Sequence, residues 1–405
     1  MRTSIATTLL AGTAFALIAC GGEGAPPCPE ISGTTCTWAG VPGLHGFKTM
    51  DQDDGDGHPL LQSLLNFPED LTFDAAGRAY VNDWNNHRVR RAEPDGTFQT
   101  VIGTDYEGDG PPEMEDRYPE GNPAGALGTT VALNHPTDIE FLPDGRLLLA
   151  AWHNNKLRIY DPETQLVTVL AGNDYGYRGD DGPAWAASFN QPKAVVLDTD
   201  GTVYTIDQRN VRIRKLTTNL LDPIRTMAGT GVWGNVGDGG QALDAQFGFD
   251  IGITPQPTGA LVLHGRELLV ADSENHRIRR INLDTGIIDC IAGQSGVAGY
   301  SGDGGPALTA QFNLPVDIEL GPDGRLYVAD RLNSVIRAID LDTGIIERVA
   351  GNLVPCAPDG TCTEPEDGVP PLEMQLNQPY GIAFDPDGNL FIADTHNQRI
   401  LKVAR

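Results

Sequence analysis

Short runs in which apolar and polar residues alternate, each bounded by Gly, Pro, Asp or Asn, recur along most of the chain. The C-terminal stretch shows the pattern most plainly: GIAFD (Gly381 to Asp385), a PDG turn, NLFIAD (Asn389 to Asp394), a THN turn and QRILKVA (Gln398 to Ala404). A period of two places one face of each run in a core, the signature of strands joined by tight turns. Glycine closing a turn supplies the positive φ that the reversal needs. One copy earlier a fourth strand is visible, IIERVAG (Ile345 to Gly351), entered through DTG (Asp342 to Gly344).

This four-strand unit occurs six times, with copies beginning near Asn66, Asn134, Asn190, Phe249, Asn313 and Asn377. Pro68, Pro136, Pro192, Pro315 and Pro379 mark the same place in five copies, and Ile251 replaces proline in the fourth. A repeat of this length is one supersecondary unit tiled many times, and four-stranded units tiled radially make a propeller. The predicted fold is therefore all-β, a six-bladed β-propeller of four-stranded blades. The sixth copy lacks a fourth strand before Arg405, and an orphan strand TCTWAG (Thr35 to Gly40) stands ahead of the first copy. The expectation is that this N-terminal strand closes the last blade. Trp185 aligns with Leu61, Leu243, Leu308 and Leu372 and is expected to pack inward.

The segment preceding the repeats reads as targeting sequence. Arg2 followed by an apolar run to Ile18 is too short and too often interrupted by threonine for a membrane span. LIAC (Leu17 to Cys20) resembles a bacterial lipobox, which implies cleavage before Cys20 and lipidation of its thiol. The expected organisation is a signal peptide over 1–19, the lipidated Cys20 with a tether over 20–33, and the propeller over 34–405. Gly21 after the cysteine resembles the outer-membrane sorting pattern of the bacterial envelope. Cys28 and Cys36 are close in sequence, as are Cys356 and Cys362, and pairing by proximity gives two local disulfides, leaving Cys290 as an odd thiol. Other connectivities among the four remain open.

A net charge of −27 and a pI near 4.5 argue against nucleic acid or an anionic lipid surface as partner, so membrane contact is expected through the lipid anchor only. A monomer is expected.

The recurring NHRIR (Asn275 to Arg279), NHRVR (Asn86 to Arg90) and NQRIL (Asn397 to Leu401), with YVAD (Tyr327 to Asp330), TVLAG (Thr168 to Gly172) and GDGGPA (Gly302 to Ala307), resemble the NHL-repeat family in its bacterial lipoprotein form. The resemblance covers the chain from about Thr35 onward. It implies a propeller that binds proteins or other ligands. A minority of the family are enzymes, some using zinc held by histidines of different blades.

Two sets of acids recur in the repeat: Asp83, Asp207, Asp272, Asp330 and Asp394, and Asp56, Asp109, Asp180, Asp238, Asp303 and Asp367. A residue present in blade after blade is read as building the blade, because Asp at turns bonds nearby amides. DQDDGDG (Asp51 to Gly57) lacks the carboxylates of a calcium loop. The histidines show no paired ligand spacing, no nucleophile elbow occurs, and no cofactor, metal or catalytic residue is assigned. Departures from the repeat are the better candidates. Trp84 and Trp152 share a turn position that later copies fill with Gln208, Ser273, Arg331 and Thr395. With His153 and the loop aromatics Tyr106, Tyr175, Tyr177 and Trp233 they form a candidate ligand surface on one rim, beside an insertion over 113–130. The function expected is a non-catalytic binding or scaffold module for a protein or glycan at the cell envelope. The alternative is an extracytoplasmic metal-dependent lyase or hydrolase with its site in the channel.

Overall fold

The computed structural model describes residues 31–46, 56–104, 107–110, 125–357, 362 and 367–405. Six antiparallel sheets form a propeller. Blade 1 comprises Pro68–Phe73, Ala79–Asp83, Arg88–Ala92 and Phe98–Ile102, ordered from the axis outward. The first strands of neighbouring blades pack on one another around the ring, so they form the channel wall. In blades 2, 4 and 5 a two-residue strand from the preceding connection pairs with the outermost strand.

Thr35–Gly40 pairs antiparallel with Arg399–Val403 as the outermost strand of blade 6. The closure expected from the orphan strand is thus present. Trp38 sets its ring edge-on to Phe98 of blade 1 and Phe391 of blade 6, at 6.0 and 5.3 Å between centroids. Each hydrophobic cluster lies between two adjacent blades, so no blade has a core of its own.

The recurring acids tie each blade together internally. Asp83, Asp207, Asp272, Asp330 and Asp394 each accept the amide of the residue that opens the same blade, at 2.6–2.8 Å. In blade 2 Ala151 stands at that position, and Asn154 Oδ1 accepts the Asn134 amide instead at 2.9 Å. The second set meets buried third-strand arginines: Asp109 with Arg158 and Asp180 with Arg214 at 2.8 Å, Asp238 with Arg279 and Asp303 with Arg337 at 2.7 Å. The arginines are buried and paired with acids that stay exposed, so each buried cation keeps a partner.

One packing expectation fails. Trp185 is only half-buried, and Leu243, Leu308 and Leu372 are exposed. In three blades the inward residue of that turn is the preceding alanine: Ala184, Ala242 and Ala307. A single 3-10 turn lies there, and only its first residue reaches the blade interface.

Cys356 and Cys362 form a disulfide. Cys36 is disulfide-bonded, and Cys290 is a free, half-buried thiol. Cys28, Cys20, the signal peptide and most of DQDDGDG lie outside the described residues.

Candidate functional site at the channel mouth

After the acid that ends each second strand the chain makes one 3-10 turn, and the next residue adopts left-handed backbone, as at His87, Val211, His276, Ser334 and Gln398. That side chain reaches the following blade. The amide of His135 donates to His87 Nδ1 at 3.2 Å, that of Gln191 to Asn155 Oδ1 at 2.9 Å, and that of Leu314 to His276 Nδ1 at 3.1 Å. Gln378 to Ser334 and Phe67 to Gln398 complete the series. The histidine of the NHR element is therefore a blade-to-blade acceptor, which agrees with a structural role.

The first residue of the same turn points to the mouth of the channel. Trp84, Trp152, Gln208, Ser273, Arg331 and Thr395 occupy this position in blades 1 to 6. Trp152 is only 1% exposed, and its indole N–H donates to Gln208 Oε1 at 3.1 Å. Gln208 Nε2 in turn donates to the carbonyls of Asp250 and Gln256, both at 2.8 Å. Thr395 Oγ1 donates to the Pro68 carbonyl of blade 1 at 2.7 Å, and Arg331 stacks over Tyr380 of blade 6 with its guanidinium carbon 4.4 Å from the ring centre. Trp84 is half-buried and lies 4.2 Å from the His135 ring.

Trp84, Trp152 and His153 are brought together: the two indoles are 6.4 Å apart, and His153 stacks on Trp152 at 4.2 Å. His135 and His87 join them, with His135 Nδ1 2.8 Å from His153 Nδ1 and the His87 ring 4.4 Å from that of His135. Sequence spacing missed this cluster because its members come from three different repeat positions, meeting only across the blade 1–2 joint. Burial pushes these imidazoles down, His87 and His153 to about 4 and His135 to about 3. Among the described residues no three His, Cys, Asp or Glu side chains are placed to hold a metal ion.

The loop aromatics lie farther out. Tyr175 and Trp233 occupy equivalent positions in successive blades, each bridged to a phenylalanine, Phe189 and Phe247, and are 61% and 46% exposed. Tyr177 differs: its hydroxyl donates to Asp180 at 2.9 Å and Arg212 covers its ring. Tyr300 repeats this arrangement with Asp303 and Arg337, so Tyr177 belongs to the blade's construction. Tyr106 and most of the 113–130 insertion lie outside the described residues.

Below the mouth, a β-bulge after each landmark proline of blades 1, 2 and 5 sets an extra residue into the channel wall. Asp70, Asp138 and Asp317 follow the bulge, and each accepts an amide of the next blade at 2.8–2.9 Å: Ile139, Val195 and Ile382. Glu140 and Glu319 stand one step deeper. Burial raises the proton affinity of all five, Glu140 to about 8 and Asp317 to about 6. Lys193 sits among them, and the charges of Glu69, Asp138, Asp317 and Asp70 hold its ammonium protonated against the cost of burial. None of this channel charge was assigned from the sequence. The P-x-D step after the landmark proline, absent from blades 3, 4 and 6, was its visible signal.

Residues 376–403 match the model of the NHL repeat. The protein Suppressor of Quenching 1, chloroplastic, of Arabidopsis thaliana is 27% identical over 320 residues, covering 75% of this chain and 27% of that protein. NHL repeat-containing protein 2 of Bos taurus is 25% identical over 275 residues, 63% of this chain and 36% of that one. The chain thus spans roughly a quarter to a third of the length of these curated relatives. Among solved structures, a Bacteroides thetaiotaomicron protein of unknown function superposes with a TM-score of 0.63 at 18% identity, covering 91% of this chain and 75% of that one. An auxiliary nutrient binding protein of the same organism gives 0.59 at 16% identity, with the same two coverages of 91% and 75%. At such identities the structures establish the fold alone. The repeat match and the relatives support an NHL-repeat propeller.

Proposed function

We propose that this propeller is a non-catalytic binding module, lipid-anchored through Cys20 at the bacterial outer membrane, that presents its mouth face to a protein or glycan. The observation that carries the binding reading is the set of aromatic rings that blade construction leaves unused. Tyr175 and Trp233 are exposed at matching loop positions, and Trp84 keeps a buried indole N–H without a hydrogen-bond partner among the described residues. Large rings at such places supply contact area with little loss of side-chain freedom. Trp152 serves this surface from beneath, by holding His153 and Gln208. That one fold neighbour is an auxiliary nutrient binding protein agrees with this reading without carrying it.

The test is capture of partners from envelope extract by the purified protein, compared with a Trp84→Ala, Trp233→Ala variant. Loss of a hot-spot tryptophan costs about 2 kcal/mol, so a captured partner is expected to bind on the order of 30-fold more weakly to the variant. Equal capture by a variant that melts normally removes the binding surface from this face. The anchor is tested separately: Cys20→Ser is expected to leave the membrane fraction or remain uncleaved, and normal membrane retention overturns it.

A further inference from the structure

Three polar groups around one arc of the mouth are buried and have no hydrogen-bond partner among the described residues: both carboxyl oxygens of Glu69, Nε of Arg331 and the indole N–H of Trp84. Glu69 is 3% exposed and Arg331 7%. A buried polar group without a partner costs free energy, and such groups are few in a native protein. Their positions are related. Trp84 and Arg331 hold the same ring position in blades 1 and 5, separated around the ring only by Thr395 of blade 6. Glu69 follows Pro68, whose carbonyl receives the Thr395 hydroxyl. It is the bulged residue of blade 1, between Pro68, paired with Asp83, and Asp70, paired with Asn82. Gly381 of blade 6 lies so close that any β-carbon there would strike the Glu69 carbonyl, which brings Tyr380 and the Arg331 stacked on it toward Glu69.

Arg331 stands apart from the other buried arginines. Arg158, Arg214, Arg277, Arg279, Arg337 and Arg399 each meet a carboxylate, whereas among the described residues Arg331 has none within ion-pair distance: it stacks on Tyr380, and its charge reaches Glu69 only at longer range. Its Nε is left without a hydrogen bond among the described residues. Burial raises the Glu69 carboxyl to about 8, so near neutrality it carries a proton and can both give and accept a hydrogen bond.

We propose that this arc, formed by Glu69, Trp84, Arg331 and Tyr380, is a subsite for a neutral saccharide. The proposal rests on the reading of the mouth as a binding surface and narrows its ligand to a glycan. Two of the open groups only donate, and the third does either. A hydroxyl both accepts and donates, so adjacent sugar hydroxyls satisfy all three at once. The half-exposed Trp84 ring offers the flat apolar face that a pyranose covers. A cationic ligand is disfavoured by Arg331 and Lys193, whose charges both reach Glu69.

The experiment titrates the full-length mature protein with malto-, cello-, xylo- and chitotetraose, and with tetragalacturonate as the charged comparison, following heat of binding and tryptophan fluorescence. At least one neutral tetrasaccharide is expected to bind. Arg331→Met and Glu69→Ala are each expected to weaken it about tenfold or more, the loss that follows from removing a hydrogen bond to a charged or buried group. Leu308→Ala, on the outer flank, is expected to change nothing. Arg331→Lys keeps the charge and most of the stem but loses the Nε donor, and is expected to show the same loss if Arg331→Met melts early. Absence of binding by all four neutral sugars, binding of tetragalacturonate alone, or undiminished binding by the arginine and glutamate variants overturns the proposal. Partner capture that still depends on Trp84 and Trp233 while no sugar binds would leave the binding module standing and remove only the saccharide.

Discussion

His135 lies against His87, His153 and the Trp84 ring, and this burial holds its imidazole at about 3, while His87, His153 and His396 stand at about 4. In the unfolded chain each would titrate near 6.5. Between those limits the unfolded state binds more protons, so stability is full above about pH 6.5 and is lost as the pH falls toward 4. The channel carboxyls act in the opposite sense. Glu69 and Glu140 rise to about 8 from an ordinary 4.5, so their contribution is full below 4.5 and is lost as the pH rises through 8. The two windows overlap between about 4.5 and 6.5 and oppose each other there. The melting temperature is therefore expected to peak at mildly acidic pH and fall on both sides. Glu140→Gln should flatten the alkaline limb and His135→Gln the acid limb. A melting temperature in the wild type that stays level from pH 6.5 to 8.5 would show that the channel carboxyls ionise without cost.

At the scale of the element, strands and turns were legible because each is written several times. Asp330 and its amide from Asn313, for instance, follow from a turn rule applied to any one copy. What was not legible sits where one blade meets the next. The joint between blades 3 and 4 shows why. Val211 occupies the left-handed position that elsewhere carries an acceptor, and the following copy has Ile251 where the landmark proline stands in the others. The acceptor half of the usual amide contact is missing, and the Asp250 amide donates to Thr258 Oγ1 at 2.7 Å. Gln208 replaces it, binding the carbonyls of Asp250 and Gln256 and accepting the Thr258 amide and the Trp152 indole. The tryptophan that looked like an unused departure in blade 2 is thus tied to a departure in blade 3. Alignment of copies reveals each change but not that they touch. The histidine cluster was hidden for the same reason, since its members share a joint and not a repeat position. Tyr177 shows the opposite error. Aligning its loop with the one that carries Tyr300 would have marked it as part of the blade.

For the whole molecule, the decisive contact is the one between the two ends of the described chain. Every core cluster is shared by two blades, so opening the ring at one joint deprives two blades of their packing. At the closing joint, Ala39, Leu60 and Leu65 from before the first blade pack with Leu71, Val81 and Phe98 of blade 1 and with Phe391, Ala393 and Ile400 of blade 6. Trp38 bridges the same two blades. A chain beginning at Val41 would leave Arg399–Val403 as an open edge, lose the ladder from Thr35 to Gly40, and uncover this cluster. The lost hydrogen bonds and apolar burial amount to about 5 kcal/mol or more, which for a large domain corresponds to a fall in melting temperature of roughly 10 °C. Because Cys36 lies in the strand, Cys36→Ala alone is the needed comparison: it removes the disulfide and keeps the pairing. If the ring is held by the strand, Cys36→Ala should lose only part of what the truncation loses, and the truncated protein should also unfold over a broader range as blades 6 and 1 separate first. Equal melting of the truncated and intact proteins would mean that the interface between blades 6 and 1 holds the ring without the strand.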